Sequence, residues 1–83
     1  MKRDELDEAE GEDVILRFVC KTALEVFEHE DIELHEPVEE IFEEGEEIEV
    51  AVFGIDERTV SVQFGDSSIA FIHRSCIEFM RFA

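Results

Sequence analysis

The alternation of apolar and polar residues after Gly45 constrains the fold more than any other feature of this 83-residue sequence. Apolar residues occupy every second position of two segments: Ile48, Val50 and Val52 in the first, and Val60, Val62 and Phe64 in the second. A period of two places such side chains on one face of an extended strand. Because Asp56-Glu57-Arg58 links the two segments, we predict a half-buried antiparallel pair.

Two further apolar segments follow a turn at Gly65-Asp66. They span residues 69–74 and 76–82, with a break near Ser75. The sequence therefore predicts a four-strand antiparallel meander within residues 46–83.

The segment that begins at Glu12 has a different pattern, in which polar residues recur every fourth position: Asp13, Arg17, Lys21 and Glu25. Most positions between them are apolar, so that one narrow polar stripe lies opposite a broad apolar side. This spacing is typical of a helix that is largely covered by the rest of the fold. We predict an N-terminal helix from Glu12 to about Val26.

A short strand and a short helix are predicted between these two regions. Residues 30–34 alternate, with Ile32 and Leu34 on one side. Pro37 suits the first turn of a helix over about residues 36–44, which Gly45 would end. On that helix one side is apolar and carries Val38, Ile41 and Phe42.

The expected fold class is therefore α+β: an N-terminal helix, a short edge strand, a short second helix, and a four-strand antiparallel meander completing a five-stranded sheet. Residues 1–11 are expected to be an acidic, frayed leader, and residues 12–83 a single domain. Because the chain begins MKRDELDEAE and has no long apolar run, we predict neither a secretory signal nor a transmembrane segment, and a cytoplasmic location.

The charge of the chain limits its partners. There are 24 acidic and 7 basic residues, for a net charge of −17. Such a chain repels nucleic acid and anionic membranes, so a partner attracted by charge should be basic.

The acids are also unevenly placed. No Lys or Arg occurs from Thr22 through Glu57, and residues 25–49 hold 13 acids, whereas residues 58–83 hold two. A solvated surface that aids solubility or suits high salt is one interpretation. A functional acidic face is favoured, because a cationic partner would relieve the self-repulsion of concentrated carboxylates.

Motifs of catalysis are absent from the sequence: there is no phosphate-binding Gly loop, nucleophile elbow or HExxH motif. We therefore expect no enzyme, cofactor or metal, although His29 and His35 with neighbouring acids leave a metal site open as an alternative. Cys20 and Cys76 are interpreted as buried free thiols, with a disulfide as the alternative.

Regularly spaced carboxylates suggest one mode of action. Alternate residues of a strand lie about 6.6 Å apart, and phosphates recur about every 3.4 Å of axis along one nucleic-acid strand. A protein with such carboxylates competes with nucleic acid for a basic groove.

Three short segments resemble the phage-encoded uracil-DNA glycosylase inhibitors, a family of DNA-mimic proteins of nearly this length. His29-Glu30-Asp31-Ile32 is similar to the Gln-Glu-Ser-Ile type motif of the family's edge strand. Pro37 with Val38-Glu39-Glu40-Ile41 resembles its second helix, and Asp56-Glu57-Arg58-Thr59 resembles a later turn. The family's order of helix, short strand, short helix and antiparallel strands matches the predicted order.

The resemblance implies a binding site. Glu30, Asp31 and Ile32 would lie along the DNA groove of the enzyme, with Glu39 and Glu40 facing its basic rim. Glu36 and Glu43, on the same acidic side of the predicted second helix, complete the expected partner-binding set. An apolar pocket would hold a leucine of the enzyme and be formed by Leu34, Val38, Ile41, Phe42, Val50 and Val62; the alternative for this set is ordinary core packing.

The expected function is a non-catalytic DNA-mimic inhibitor that binds a basic DNA-processing enzyme, first of all uracil-DNA glycosylase, as a monomer in a 1:1 complex. A phage-encoded protein of this kind would act in the host cell cytoplasm. One alternative is an anti-restriction, anti-CRISPR, immunity or antitoxin protein that blocks another nuclease. Another is an oligomeric module in which residues 46–83 form an SH3-like or Sm-like barrel and the acids only aid solubility.

Overall fold

The computed structural model describes residues 5–28 and 36–83, and in these ranges it is almost entirely β-sheet. Seven antiparallel strands form one sheet: β1 (Asp13–Phe18), β2 (Thr22–Phe27), β3 (Val38–Phe42), β4 (Glu47–Ile55), β5 (Thr59–Gln63), β6 (Ile69–His73) and β7 (Ile77–Phe82). The helical segments are two short 3-10 turns, Glu5–Glu8 and Arg74–Cys76. The predicted α+β class is therefore wrong. No helix in the described ranges is long and apolar enough to cross a membrane.

The predicted N-terminal helix is two strands, β1 and β2, joined by a bend at residues 19–21. A polar spacing of four caused the error, because four is also a multiple of the strand period of two. Asp13, Arg17 and Glu25 thus share one face of a strand as well as one face of a helix. On the other face of β1, Val14 and Leu16 have no exposed surface.

The predicted second helix is strand β3, followed by a turn in which Gly45 has a φ of +89°. Val38, Ile41 and Phe42 would share one side of a helix, but side chains of successive strand residues point in opposite directions. Ile41 is accordingly 56% exposed, whereas Phe42 is 7% exposed. The short strand predicted at residues 30–34 lies outside the described residues.

The first four strands form one long, bent hairpin. A single register runs through both pairings, from Asp13 opposite Ala51 in β1 and β4 to Val26 opposite Val38 in β2 and β3. β1 and β2 are thus the two halves of one bent strand, and β3 and β4 are the halves of its partner. Hydrogen bonds from Phe18 N to Glu46 O (2.9 Å) and from Gly45 N to Phe18 O (2.8 Å) carry the pairing across the bend.

The pairing closes the sheet into a small barrel. β4 pairs with β5, β5 pairs with β6, and β6 returns to β2 at Val26 and Phe27. Strands β4, β5 and β6 are consecutive neighbours, as the alternation predicts. The four-strand meander is nevertheless wrong in its last strand, because β7 pairs with β1.

Buried aliphatic residues fill the barrel, together with one column of aromatic rings. The ring of Phe42 stacks on Phe18 at 4.7 Å between centroids and on Phe64 at 6.4 Å. Leu6 and Ala9 are also in this core, with exposures of 3% and 0%. Because burial of apolar surface stabilises the fold, residues 5–11 are part of the domain, and the expectation of a frayed leader is wrong for them.

Candidate functional site

One bent strand carries a dense row of carboxylates. The residues are all exposed and lie on β3, on the turn after it and on the first part of β4: Glu39, Glu40, Glu43, Glu44, Glu46, Glu47 and Glu49. We call these seven residues the acidic ridge. The ridge follows from the β-structure, because the pleat and the bend turn carboxylates outwards on both sides of one strand.

Two basic side chains of the described residues form ion pairs with the acidic ridge. Lys21 Nζ lies 3.9 Å from Glu43 Oε1, and Arg81 Nη1 lies 3.7 Å from Glu47 Oε1. All four side chains are at least 45% exposed. Exposed pairs of this kind stabilise a protein by only about 0 to 1 kcal/mol. The ridge therefore keeps most of its negative charge.

The other ion pairs of the described residues lie away from the acidic ridge. Arg17 pairs with Glu78, and Arg74 Nη2 lies 2.9 Å from Asp7 Oδ1. Four of the five described basic residues thus form an ion pair with an acid, and two of these pairs lie off the ridge. Among the described residues, two positive charges therefore pair with the seven carboxylates of the ridge.

One further carboxylate, which is not part of the acidic ridge, lies beside it on the neighbouring strand. Glu25 of β2 is directly opposite Glu39 of β3, and both side chains are exposed on the outer face of the sheet. Cβ atoms of such cross-strand partners are about 4.5 to 5.5 Å apart, and like charges at this distance destabilise a sheet. The pair costs folding free energy without an evident structural benefit.

Strand β3 is an edge of the sheet. Among the described strands it pairs with β2 alone. Two of its apolar side chains are open to solvent, Val38 at 45% and Ile41 at 56%. The free edge continues into β4, because pairing with β5 begins only at Ala51. Most of the acidic ridge therefore lies along an edge that has spare backbone hydrogen-bonding groups.

A groove separates the free edge of β3 from the turn between β5 and β6. Its volume is about 160 Å³. Apolar side chains and carboxylates both line it: Val26, Val38 and Phe64, with Glu28, Glu40 and Asp66. Glu40 belongs to it because its cross-strand partner is the inward-facing Leu24. The groove thus combines an apolar surface with negative charge.

Asp66 is held in place by its own turn. Ser68 donates hydrogen bonds to Asp66 Oδ1 from its backbone nitrogen at 3.0 Å and from its hydroxyl group. These bonds favour the charged carboxylate, so they lower the pKa of Asp66 below its ordinary value. A negative charge at this end of the groove is therefore fixed in position.

The predicted partner-binding residues are only partly brought together. Glu39, Glu40 and Glu43 lie on the acidic ridge, and Glu36 is exposed just before β3. The remaining three, Glu30, Asp31 and Ile32, lie outside the described residues.

The predicted apolar pocket is not one pocket. Phe42, Val50 and Val62 belong to the barrel core, with exposures of 7%, 2% and 0%, so a partner has no access to them. Val38 and Ile41 are exposed, but their side chains point to opposite faces of β3. Leu34 lies outside the described residues. Core packing, the alternative, accounts for the three buried members.

Several residues of the site were missed in the sequence. Glu46, Glu47 and Glu49 extend the acidic ridge, and Glu25 becomes its neighbour only through the pairing of β2 with β3. The run without Lys or Arg from Thr22 through Glu57 contains all four. The absence of Lys and Arg from that run indicates the region of the acidic ridge, although it does not show which acids share an edge of the sheet.

Neither cysteine belongs to the acidic ridge, and His29 and His35 lie outside the described residues. Both cysteines are free thiols, Cys20 exposed and Cys76 half-buried, so the prediction of buried thiols is wrong for Cys20. Val19, the residue before Cys20, donates a 2.9 Å hydrogen bond from its backbone nitrogen to Cys76 O. Within the described ranges, no three potential metal ligands come together.

Comparison with known proteins adds no family to this description. No protein-family model, no curated protein and no solved structure matches the chain.

Proposed function

We propose that this protein acts without catalysis, by occupying the nucleic-acid-binding surface of a basic partner protein in a 1:1 complex. The acidic ridge stands in for the phosphates, and the partner's Lys and Arg side chains pair with it. Seven exposed carboxylates follow one another along β3, the turn after it and the start of β4, and two of them form weak ion pairs; this is the observation that supports the proposal.

The energetic cost of the ridge favours a functional interpretation over solubility alone. A solubilising surface gains nothing from acids that repel one another across adjacent strands, as Glu25 and Glu39 do. A cationic partner removes this repulsion on binding, and the relief of the repulsion makes binding more favourable. Long-range attraction between ridge and partner also speeds association, most strongly at low salt.

Uracil-DNA glycosylase is the first partner to test, but with less support than the sequence suggested. The resemblance to its inhibitors depended on two helices that are strands in this structure. The proposal therefore does not depend on the inhibitor fold. It depends on negative charges placed along an extended strand. Another basic DNA-processing enzyme, such as a restriction or CRISPR nuclease, can also bind such a strand.

The direct test is displacement of a labelled oligonucleotide from the enzyme. Wild-type protein should displace it near stoichiometry and stop uracil excision, whereas Glu39→Lys and Glu40→Lys variants should not. A Glu57→Lys variant has the same net charge as either, but its substitution is in the turn between β4 and β5, so it should remain active. Equal loss in all three variants would mean that net charge matters and the ridge does not.

A second candidate function is the oligomeric β module, which the closed barrel favours. The barrel is not formed by residues 46–83 alone, as expected for the module, because β1 and β2 also belong to it. Strands β3 and β7 each have one neighbour among the described strands. Such edges can join copies of a protein head to tail into a ring. Light scattering separates the two functions: the inhibitor proposal expects a monomer, and the module expects a ring or dimer. The inhibitor would act in the cytoplasm, where its nucleic-acid-binding partner is present.

A further inference from the structure

We propose that the partner contributes an extended basic segment that pairs with the free edge of β3 and adds a strand to the sheet. This inference rests on the proposed function and specifies how the partner is recognised. The ligand class is a peptide segment whose four central residues are apolar, basic, basic and apolar. The site is Val38-Glu39-Glu40-Ile41.

Among the described strands, β2 is the one neighbour of β3, so the outward backbone groups of β3 can pair with an incoming strand. Each residue of an edge strand has backbone groups either towards its neighbour or away from the sheet. Within the described part of the chain, the loop and turn hydrogen bonds involve no backbone group of Val38–Phe42. An incoming strand would satisfy the outward groups by the same ladder that β2 provides on the other side.

The side chains of β3 define the sequence of the incoming strand. Glu39 and Ile41 lie on the outer face, whereas Val38 and Glu40 lie on the face of the groove. Residues opposite each other on neighbouring strands share a face, so each partner residue meets one of these four side chains. Apolar partner residues fit opposite Val38 and Ile41, and Lys or Arg fits opposite Glu39 and Glu40. Because the pattern is symmetric, it fits a parallel or an antiparallel strand.

The groove accepts one of the two basic side chains. A Lys or Arg opposite Glu40 would place its aliphatic part on Val38 and Phe64, with its charged end near Asp66. Ser68 already holds the Asp66 carboxylate in its charged form. The site therefore provides an apolar wall and a fixed counter-charge for a long cationic side chain.

Charge argues against a second copy of this chain as the occupant. Each copy carries −17, and pairing β3 with another β3 would bring together Glu39 and Glu40 of both copies, four glutamates in all. The free edge of β7 carries one basic residue, Arg81, which already pairs with Glu47. A basic partner removes repulsion at the same edge where a second copy would add to it.

Synthetic peptides test the inference. One peptide contains the core Val-Arg-Arg-Ile with polar flanks, and its control contains the rearranged core Arg-Val-Ile-Arg, with the same composition and charge. Fluorescence anisotropy gives the affinities, and NMR-detected hydrogen exchange reports the amides of residues 38–42. We expect the first peptide to bind about tenfold more tightly, because only it matches the side-chain pattern while its backbone pairs. It should also slow exchange of the outward amides of β3.

Two variants of the protein complete the test. Ile41→Ser should weaken binding of the first peptide about tenfold, from the loss of one apolar contact. Phe53→Ser is the matched control, because Phe53 is 50% exposed on β4 outside the site, and it should bind as the wild type does.

The outcomes separate this inference from the proposed function. Equal affinity of the two peptides, with no slowing of amide exchange in β3, would overturn strand addition. The proposed function would not be affected by that result, because the oligonucleotide displacement assay tests the acidic ridge separately. Failure of both the peptides and the displacement assay would overturn both proposals. Protection of β3 that grows with protein concentration in the absence of peptide would overturn the inference in favour of a second copy.

Discussion

Replacing Glu39 by Lys should make the protein more stable and at the same time abolish partner binding. In the structure Glu39 faces Glu25 across the β2 and β3 pairing, and both side chains are exposed. Two unit charges about 5.5 Å apart in water interact by about 0.75 kcal/mol. Glu39→Lys turns this repulsion into attraction, so screening and side-chain motion leave an expected gain of about 0.5 to 1 kcal/mol.

The gain can be measured by urea unfolding followed by far-UV circular dichroism, since the chain has no Trp or Tyr. For a domain of this size it corresponds to a rise in Tm of about 2 to 8 °C. Glu57→Lys controls for net charge, because it also changes −17 to −15 but lies in the turn between β4 and β5. The double variant Glu25→Lys, Glu39→Lys restores two like charges and should lose the gain attributable to the pair.

The opposite outcome is a Glu39→Lys variant that is no more stable than Glu57→Lys at low ionic strength. That result would mean that residues 25 and 39 are not opposite each other, and the register of β2 with β3 would be wrong. If the variant is more stable and still displaces the oligonucleotide, the register stands but the ridge has no function at this position.

Three further predictions address the fold and its charges. Phe42→Ala should lower the free energy of unfolding by about 3 to 5 kcal/mol, because Phe42 stacks between Phe18 and Phe64, whereas Ile41→Ala should lower it by well under half as much. Similar losses in urea unfolding would favour the predicted second helix over β3. Added salt should raise the Tm by screening the excess negative charge, and a flat response in a calorimetric salt series would show that the carboxylates are better compensated than their ion pairs indicate. The folded-state pKa of Asp66 is lowered, so the charged carboxylate stabilises the fold fully above its ordinary pKa of 3.8, and this stabilisation is lost as the pH falls through the folded value. The difference in unfolding free energy between wild type and Ser68→Ala should therefore shrink towards acid pH. A constant difference in urea midpoints would contradict the hydrogen bonds from Ser68 to Asp66.

The part of the fold that could be predicted was the part with an unambiguous period. Ile48, Val50 and Val52 recur at every second position, with Glu49 between the first two, and no helical spacing accounts for them, so β4 was found where it lies. The same applies to Val60 and Val62 of β5. Local pattern was sufficient there because each strand pairs with its neighbour in the sequence.

The N-terminal half was not predictable in this way. Polar residues at 13, 17, 21 and 25 are compatible with either period, and Val38, Ile41 and Phe42 fit a helix spacing better than a strand spacing. Pairings between distant segments override these local preferences, as β-propensity depends on what a strand packs against. Neither the hairpin of residues 13–51 nor the closure of β6 on β2 has a local signal in the sequence.

The acidic face was predictable as a region, but its shape was not. Counting charges located it between Thr22 and Glu57. Only the sheet shows that Glu39 and Glu49 belong to one edge, and that Glu25 joins them from another strand. The apolar side chains next to the acids were misassigned for the same reason, since a helix would have brought Ile41 and Phe42 to one side.

Competition with a labelled single-stranded oligonucleotide tests most directly whether the acidic ridge stands in for nucleic acid. The competition is measured for a set of basic DNA-processing enzymes, beginning with uracil-DNA glycosylase. We expect near-stoichiometric displacement by wild type and by Glu57→Lys for at least one enzyme, and none by Glu39→Lys. If the oligonucleotide stays bound to every enzyme at a large excess of wild-type protein, or if Glu39→Lys displaces it as well as Glu57→Lys does, the acidic ridge does not stand in for nucleic acid.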